Sequence, residues 1–201
     1  MRLRLLSGDI SRLAFRVDAI VTSSNAALTG NGNPAYWRFA GRQNVDGAIR
    51  AECSPGLTLK TGQTTLSVGM AISSPATGNL STRCSQIIHV NSPDGAYGRE
   101  AGSEQSKALL RACYSNAISL ADSLHSETVA LPAIGCGVRE WKASESAEAM
   151  IDALSSVRLL LKRTKEVVVV CSELPVLRAF SAVAEKKLGK APLAFPMTWT
   201  L

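Results

Sequence analysis

Residues 18–50 read DAIVTSSNAALTGNGNPAYWRFAGRQNVDGAIR, and the change of character along this stretch decides the fold. It opens on Asp18-Ala19-Ile20-Val21-Thr22-Ser23, a continuous apolar and β-branched run of the kind found in a strand covered on both faces. It closes on Asn44-Val45-Asp46-Gly47-Ala48-Ile49, where Asn44 can cap a helix over residues 45–53 that Ser54-Pro55-Gly56 brings to an end. Between strand and helix lies a long loop holding Gly30, Gly32 and Gly41, several asparagines and the cluster Tyr36-Trp37-Arg38-Phe39. Loops of that length in a compact domain are either functional or disordered, and the aromatic cluster argues for function.

Working outward, the same alternation of elements continues. Upstream, residues 3–6 alternate with Arg2 and Arg4 as a short first strand at a candidate sheet edge, and Ser7-Gly8-Asp9-Ile10 turns the chain towards a short helical piece that Ser11 can cap. Downstream, strands are expected over residues 64–73, interrupted at Gly69, and over 86–90, 128–134 and 166–171, the last carrying four consecutive valines. Helical spacing of Leu109, Cys113, Ala117, Leu120 and Leu124 predicts a helix over 103–124, with Ser103 as its cap. Two more helices are expected over 144–163, acidic at its start, and 175–188, with Pro175 in the first turn and Gly189 after the last. The tail, residues 191–201, can add an edge strand. Strands apolar on both faces, alternating with long helices, imply an α/β fold with helices on both sides of a mostly parallel sheet. In such sheets ligands bind beyond the carboxyl ends of the strands, where two glycine-bearing loops leave: the one just described and residues 131–141.

Composition narrows the class. A chain of 201 residues is expected to form one domain over 1–201, and 46% hydrophobic with 19% charged residues excludes a disordered protein. The net charge of +6 suits an anionic ligand, yet the basic residues are scattered, so a solvated surface is preferred to a nucleic-acid groove. Cys53, Cys84, Cys113, Cys136 and Cys171 are an odd, widely spaced set without a C-x-x-C, as expected of free thiols in a reducing compartment. The start MRLRLLSGDI lacks the apolar core of a secretory signal, and no run of 18 apolar residues suggests a membrane span. A cytoplasmic or nuclear protein is the expectation.

Several residues could carry chemistry, each with a structural alternative. In Gly135-Cys136-Gly137-Val138, after a strand and before a helix, backbone N–H groups can turn towards an anion, or the glycines can simply make a tight turn. Cys136 as a nucleophile would need a histidine; His89 reads as a core histidine and His125 lies at a polar helix end. Asp9 can accept from a ligand amine or cap its turn. Asn25, at a strand end, can bond sugar hydroxyls or be a turn asparagine. Asp46 can be a water-activating base or a dipole-stabilised helix-end acid. Tyr36 and Trp37 can stack on a base or pin their loop.

Taken together, Gly8-Asp9-Ile10, Asp18-Ala19-Ile20-Val21 with Asn25, Val45-Asp46-Gly47-Ala48-Ile49, and Leu131-Pro132-Ala133-Ile134-Gly135-Cys136-Gly137-Val138 occur in the order found in macrodomains. The chain most resembles the branch containing mono-ADP-ribosyl hydrolases and O-acetyl-ADP-ribose deacetylases, over roughly residues 3–180. That resemblance implies a three-layer α/β/α domain around a central mixed, mostly parallel sheet. It implies ADP-ribose or ADP-ribosylated proteins as partners, no cofactor, no metal and a monomer. It further implies hydrolysis by a positioned water, removing mono-ADP-ribose from modified side chains or the acetyl group from O-acetyl-ADP-ribose. The alternatives are a reader module without turnover and a phosphatase acting on ADP-ribose 1″-phosphate.

By that resemblance Asp9 would accept from the adenine amino group with support from the Ile10 backbone. Ala133, Ile134, Gly135, Cys136, Gly137 and Val138 would wrap the diphosphate. Asn25 would hold the distal ribose, Asp46 would activate water beside Gly47, and Phe180 would pack on the adenine. The chain also departs from the family. Thr22 stands where an asparagine is usual, Arg42-Gln43-Asn44 replaces a run of glycines, and an insertion spans about residues 33–43. Arg139 and Glu140 take the place of an aromatic residue after Gly137-Val138, which leaves Trp141 or Trp37 to cover the ligand.

Overall fold

The structure, a computed structural model, describes residues 1–28, 44–53, 65–95, 102–189 and 197–201. Seven strands form one sheet: β1 (Arg2–Ser7), β2 (Ala19–Ser24), β3 (Ala71–Pro75), β4 (Gln86–Asn91), β5 (Thr128–Pro132), β6 (Glu166–Cys171) and β7 (Met197–Thr200), in the spatial order β3-β4-β2-β5-β6-β1-β7. The inner pairings β4/β2, β2/β5, β5/β6 and β6/β1 are parallel, and the edge strands β3 and β7 are antiparallel. Four described helices accompany it: α1 (Val45–Glu52), α2 (Glu104–Ser123), α3 (Ala143–Val157) and α4 (Leu174–Leu188).

Strand alternation explains the layers. Successive side chains point to opposite faces, so Val167, Val169 and Cys171 of β6 join Val21, Ile88, Val129 and Leu131 under α2, α3 and α4. Val168 and Val170 point the other way and join Ile20, Ile87, Ala130, Ile49 of α1, Ile10 and Leu80. Each central strand is therefore apolar on both faces because both faces are covered, which is the three-layer α/β/α arrangement. Asp18 fastens the entry of β2 to that of β5, accepting from the Glu127 and Thr128 amides at 2.9 Å.

Several expected boundaries shift for local reasons. β1 is not an edge strand, because β7 pairs with it from Leu201's side of the chain, Leu3 opposite Trp199. The strand expected across Gly69 begins only at Ala71: Gly69 has φ +85°, a left-handed turn that extended chain cannot pass through, and its amide donates to the Asn91 carbonyl at 2.8 Å. β5 stops at Pro132, two residues early, since the Ile134 amide leaves the ladder to donate to the Tyr114 hydroxyl. α3 stops at Val157 rather than continuing to residue 163. Asp122 captures the amides of Lys162, Arg163 and Thr164, turning the chain back and leaving Leu159 and Leu160 on the surface. No helix among the described residues is long and apolar enough to cross a membrane.

Candidate active site

The order of the strands reverses at β2, which has β4 on one side and β5 on the other. A crevice opens beyond the carboxyl ends of the strands at such a point. Counting across that edge, Asn25 follows β2, the loop from Ala133 follows β5, and Gly8-Asp9 follows β1. β2 and β1 are three strand steps apart, roughly 14 Å at the usual strand spacing. Three of the four expected site segments thus share one edge of the sheet, arranged for an elongated ligand, and the fourth lies on α1.

At one end sits Asp46. Asn44 caps α1, its side-chain oxygen accepting from the Gly47 amide at 2.8 Å, so that Gly47's N–H is already used by the protein. This starts the helix directly under β2 and buries Asp46, whose residue is only 1% exposed. A buried carboxylate must be partnered, and both of its oxygens are. Oδ2 accepts from Arg50 Nε at 2.8 Å, one turn along the helix, and Oδ1 accepts from the Thr22 hydroxyl at 3.3 Å. Thr22 occupies the position where the family resemblance led one to look for an asparagine, and its hydroxyl serves the acid instead. Ser24, two residues on and hence on the same strand face, is buried too, and its hydroxyl has no hydrogen-bond partner among the described residues. Sequence reasoning missed Ser24; the period-two spacing from Thr22 was the signal that could have found it.

Asn25 is half-buried at the end of β2, and its carbonyl accepts from the Leu28 amide at 3.1 Å. Leu28 is buried with φ +56°, a left-handed conformation costly for a leucine, and its carbonyl accepts from Arg50 Nη2 at 2.7 Å. The turn after β2 and the acid on α1 are therefore joined through one guanidinium.

The second loop is set by a buried ring of hydroxyls. The Tyr114 hydroxyl accepts from the Ile134 amide at 2.8 Å and lies 2.7 Å from Ser146 Oγ, which in turn donates to the Ile134 carbonyl at 2.7 Å. Helices α2 and α3 thus grip Ile134 by both of its backbone groups. Gly135 follows with φ +86°, and Trp141 packs so close that a Cβ at Gly135 would stand 2.6 Å from its ring. Cys136 closes the turn, its amide donating to the Ala133 carbonyl at 3.2 Å, and the exposed Gly137 has open space where a side chain would stand. The loop thus leaves the outer side of Gly137 uncrowded. Trp141 does not cover a ligand here. It is buried, and its Nε1 donates to the Pro93 carbonyl, pinning the loop to the segment after β4. Arg139 adds to that seam by donating to Asp94 at 2.7 Å.

The remaining expected residues divide. Asp9, rather than Ser11, caps the 3-10 turn Ile10–Arg12: its Oδ1 accepts from the Ser11 amide and hydroxyl at 2.9 and 2.7 Å, and the residue stays exposed. Ile10 buries its side chain in the smaller core. Phe180 corrects an expectation: it is fully buried in the main core under α4, so its ring has no face open to an adenine and serves packing. Tyr36, Trp37 and the insertion at about 33–43 lie outside the described residues.

Nucleophilic catalysis by Cys136 is disfavoured. Burial pushes its thiol up to about 11, with a hydrogen bond to Ser146 lowering it only in part, so the thiol is protonated at neutral pH. His89 lies on β4 beside Thr22, its Nε2 bonded to Ser74 Oγ at 2.9 Å; burial lowers its pKa to about 4, against the pull of Asp46, leaving it neutral. Among the described residues no group of three or more histidine, cysteine or acidic side chains could hold a metal ion.

Comparison with known proteins adds to this geometry. The sequence model of the macro domain matches residues 32–150. An O-acetyl-ADP-ribose deacetylase of Salmonella typhimurium is 30% identical over 185 residues, covering 90% of this chain and 92% of that protein. Among solved structures, an Oceanobacillus iheyensis macrodomain variant with ADPR superposes with a TM-score of 0.75 at 21% identity, covering 94% of each chain. A Trypanosoma brucei macrodomain in complex with ADP-ribose gives 0.68 at 17% identity, covering 89% of this chain and 67% of that one.

Proposed function

The chain belongs to the macrodomain family, and from that premise we propose that it binds ADP-ribose along the carboxyl edge of its sheet and hydrolyses a group attached to the distal ribose. The substrates are O-acetyl-ADP-ribose, as the name of the Salmonella relative suggests, and mono-ADP-ribosylated protein side chains. Asp9 takes the adenine amino group, the backbone of Gly135, Cys136, Gly137 and Val138 takes the diphosphate, and Asn25 takes the distal ribose. Backbone donors on glycines suit a diphosphate because they bring N–H groups close without bulk.

Asp46 is the base. A carboxylate has about four lone-pair directions, and Arg50 and Thr22 engage one on each oxygen. A further lone pair can accept the proton of a water as that water attacks the acetyl carbonyl, or the anomeric carbon of the ribose. In the first case acetate leaves and the ribose hydroxyl is regenerated. In the second the bond from the anomeric carbon to the modified side chain breaks and the side-chain acid leaves. The observation that carries this reading is a buried, hydrogen-bonded carboxylate held against Thr22 of β2, the strand that Asn25 follows, in a site whose other parts are arranged for an elongated anion.

The second reading is an ADP-ribose reader without turnover. It is favoured by the engagement of both Asp46 oxygens and by the threonine at position 22. One set of assays separates the readings: release of acetate from O-acetyl-ADP-ribose, of ADP-ribose from a mono-ADP-ribosylated protein, and of phosphate from ADP-ribose 1″-phosphate. Wild type is expected to be active in one of the first two, and Asp46→Ala and Asn25→Ala to lose about 100-fold or more, as removal of a general base or a positioning group does. Full activity in both variants would defeat the assignment. Tight binding with no turnover of any substrate would establish the reader, and phosphate release alone the phosphatase.

A further inference from the structure

We propose that Arg50 is a positioning residue that sets the Asn25 turn and the Asp46 carboxylate in one fixed relation. This rests on the hydrolase reading above and deepens it. The guanidinium bonds to both halves of the site. Its Nε donates to Asp46 Oδ2 at 2.8 Å, and its Nη2 donates to the Leu28 carbonyl at 2.7 Å. Asp46 belongs to α1 and Leu28 to the turn after β2, 18 residues earlier in sequence. A planar fork with donors at fixed angles can satisfy two acceptors at once and so fixes the distance and orientation between them.

Two independent features show that this link has something to hold. The first is Leu28. It is buried with φ +56°, and its amide donates to the Asn25 carbonyl, closing the turn that follows Asn25. A leucine keeps a left-handed conformation only where its surroundings over-determine it, and such residues gather at functional sites. Arg50 supplies one of those constraints from outside the turn. The second is the burial of Asp46. The ion pair with Arg50 and the Thr22 hydroxyl engage one lone pair on each oxygen and fix the plane of the carboxylate, so its remaining lone pairs point in defined directions. With only 22% of its side chain exposed, Arg50 is itself held within the structure rather than free to sweep through solvent.

The consequence is a geometric one. If Asn25 holds the ribose and Asp46 holds the water, then the reacting atoms are brought together by groups on two separate elements, and Arg50 sets the gap. Displacing such groups by about 1 Å costs on the order of 100-fold in rate. Binding of ADP-ribose draws mainly on Asp9, beyond β1, and on the Gly135–Val138 backbone, beyond β5, and the Arg50 hydrogen bonds go to Asp46 and Leu28 instead. Arg50 therefore acts on turnover far more than on affinity.

The test compares wild type with Arg50→Lys and Arg50→Gln by steady-state kinetics on O-acetyl-ADP-ribose and on a mono-ADP-ribosylated protein, by calorimetry with ADP-ribose, and by amide hydrogen exchange at Leu28. Lysine keeps the positive charge beside Asp46 but is a single point donor that cannot fork to Leu28. Both variants are expected to lose about 100-fold in kcat, with KM and ADP-ribose affinity within about threefold of wild type, well under the tenfold that 1.4 kcal/mol represents. The Leu28 amide, which donates to Asn25, is expected to exchange at least about tenfold faster in both. Rescue of kcat by Arg50→Lys to within about twofold, a change below any positioning effect, would overturn the proposal, because charge alone would then suffice. Unchanged Leu28 exchange in both variants would overturn it as well. If wild type turns over neither substrate, the hydrolase reading fails separately, and the exchange measurement still decides whether Arg50 sets the turn. Should Arg50→Gln fail to fold with Asp46 left without its cation, Arg50→Lys carries all three readouts.

Discussion

Removing one oxygen, in Tyr114→Phe, tests the mechanism by which helices shape the second loop. Tyr114 lies in α2 and is fully buried, and burial raises its pKa well above the ordinary value, so it is a neutral donor and acceptor at every relevant pH. Its hydroxyl accepts from the Ile134 amide and, with Ser146 Oγ donating to the Ile134 carbonyl, donates to Ser146. Phenylalanine keeps the ring and its packing but leaves the Ile134 N–H buried with no acceptor and Ser146 with no donor. An unsatisfied buried group costs about 1–3 kcal/mol. For a chain of this size that is a drop in melting temperature of roughly 2–12 °C. Because the orphaned amide lies immediately before Gly135, the loop should also lose its set, weakening ADP-ribose binding by about tenfold, equivalent to 1.4 kcal/mol. Differential scanning calorimetry with and without ADP-ribose measures both. A melting temperature and an affinity equal to wild type would refute the argument that this hydroxyl ring shapes the loop.

Other substitutions separate further parts of the account. Gly135→Ala places a Cβ 2.6 Å from the Trp141 ring at φ +86° and is expected to destabilise by about 1–3 kcal/mol in urea titration. Gly137→Ala, which meets nothing within 4 Å, should leave stability within about 0.5 kcal/mol while weakening ADP-ribose binding, since only the ligand would crowd it. His89 gives a pH signature: its pKa falls from 6.5 to about 4 on folding, so the unfolded chain binds its proton first. Stability should hold above pH 6.5 and fall as pH drops towards 4, by on the order of 3 kcal/mol, and urea titrations of His89→Gln should lack that slope. Asp122→Ala removes the acceptor for the amides of Lys162, Arg163 and Thr164, and is expected to cost about 1–2 kcal/mol in thermal unfolding without altering ADP-ribose binding at the far end of the sheet.

What could be read from sequence followed the range of the interactions involved. β6 and the caps of α1 and α2 were legible because four valines, an asparagine just before one helical run and a serine just before the other are local signals. The two cores were legible as a class, from strands apolar on both sides. The true ends of β5 and α3 were not, because each is set by a contact from elsewhere in the chain: Tyr114 on Ile134, and Asp122 on residues 162–164. The apolar run after Val157 imitates a continuing helix but has no core beneath it. At the site, the edge of the sheet and the segments meeting there were foreseeable. The engagement of Asp46 by Thr22 and Arg50 was not, since threonine and arginine carry no local mark of partnership, and Phe180 in an amphipathic helix gives no sign of whether its ring faces a ligand or the core.

The measurement nearest to the central claim is calorimetric titration of the protein with ADP-ribose, alongside Asp9→Ala. Wild type is expected to bind at one site with micromolar affinity, about −8 kcal/mol, and Asp9→Ala to bind about tenfold more weakly through loss of a charge-assisted hydrogen bond. Wild-type heats indistinguishable from dilution would contradict the claim.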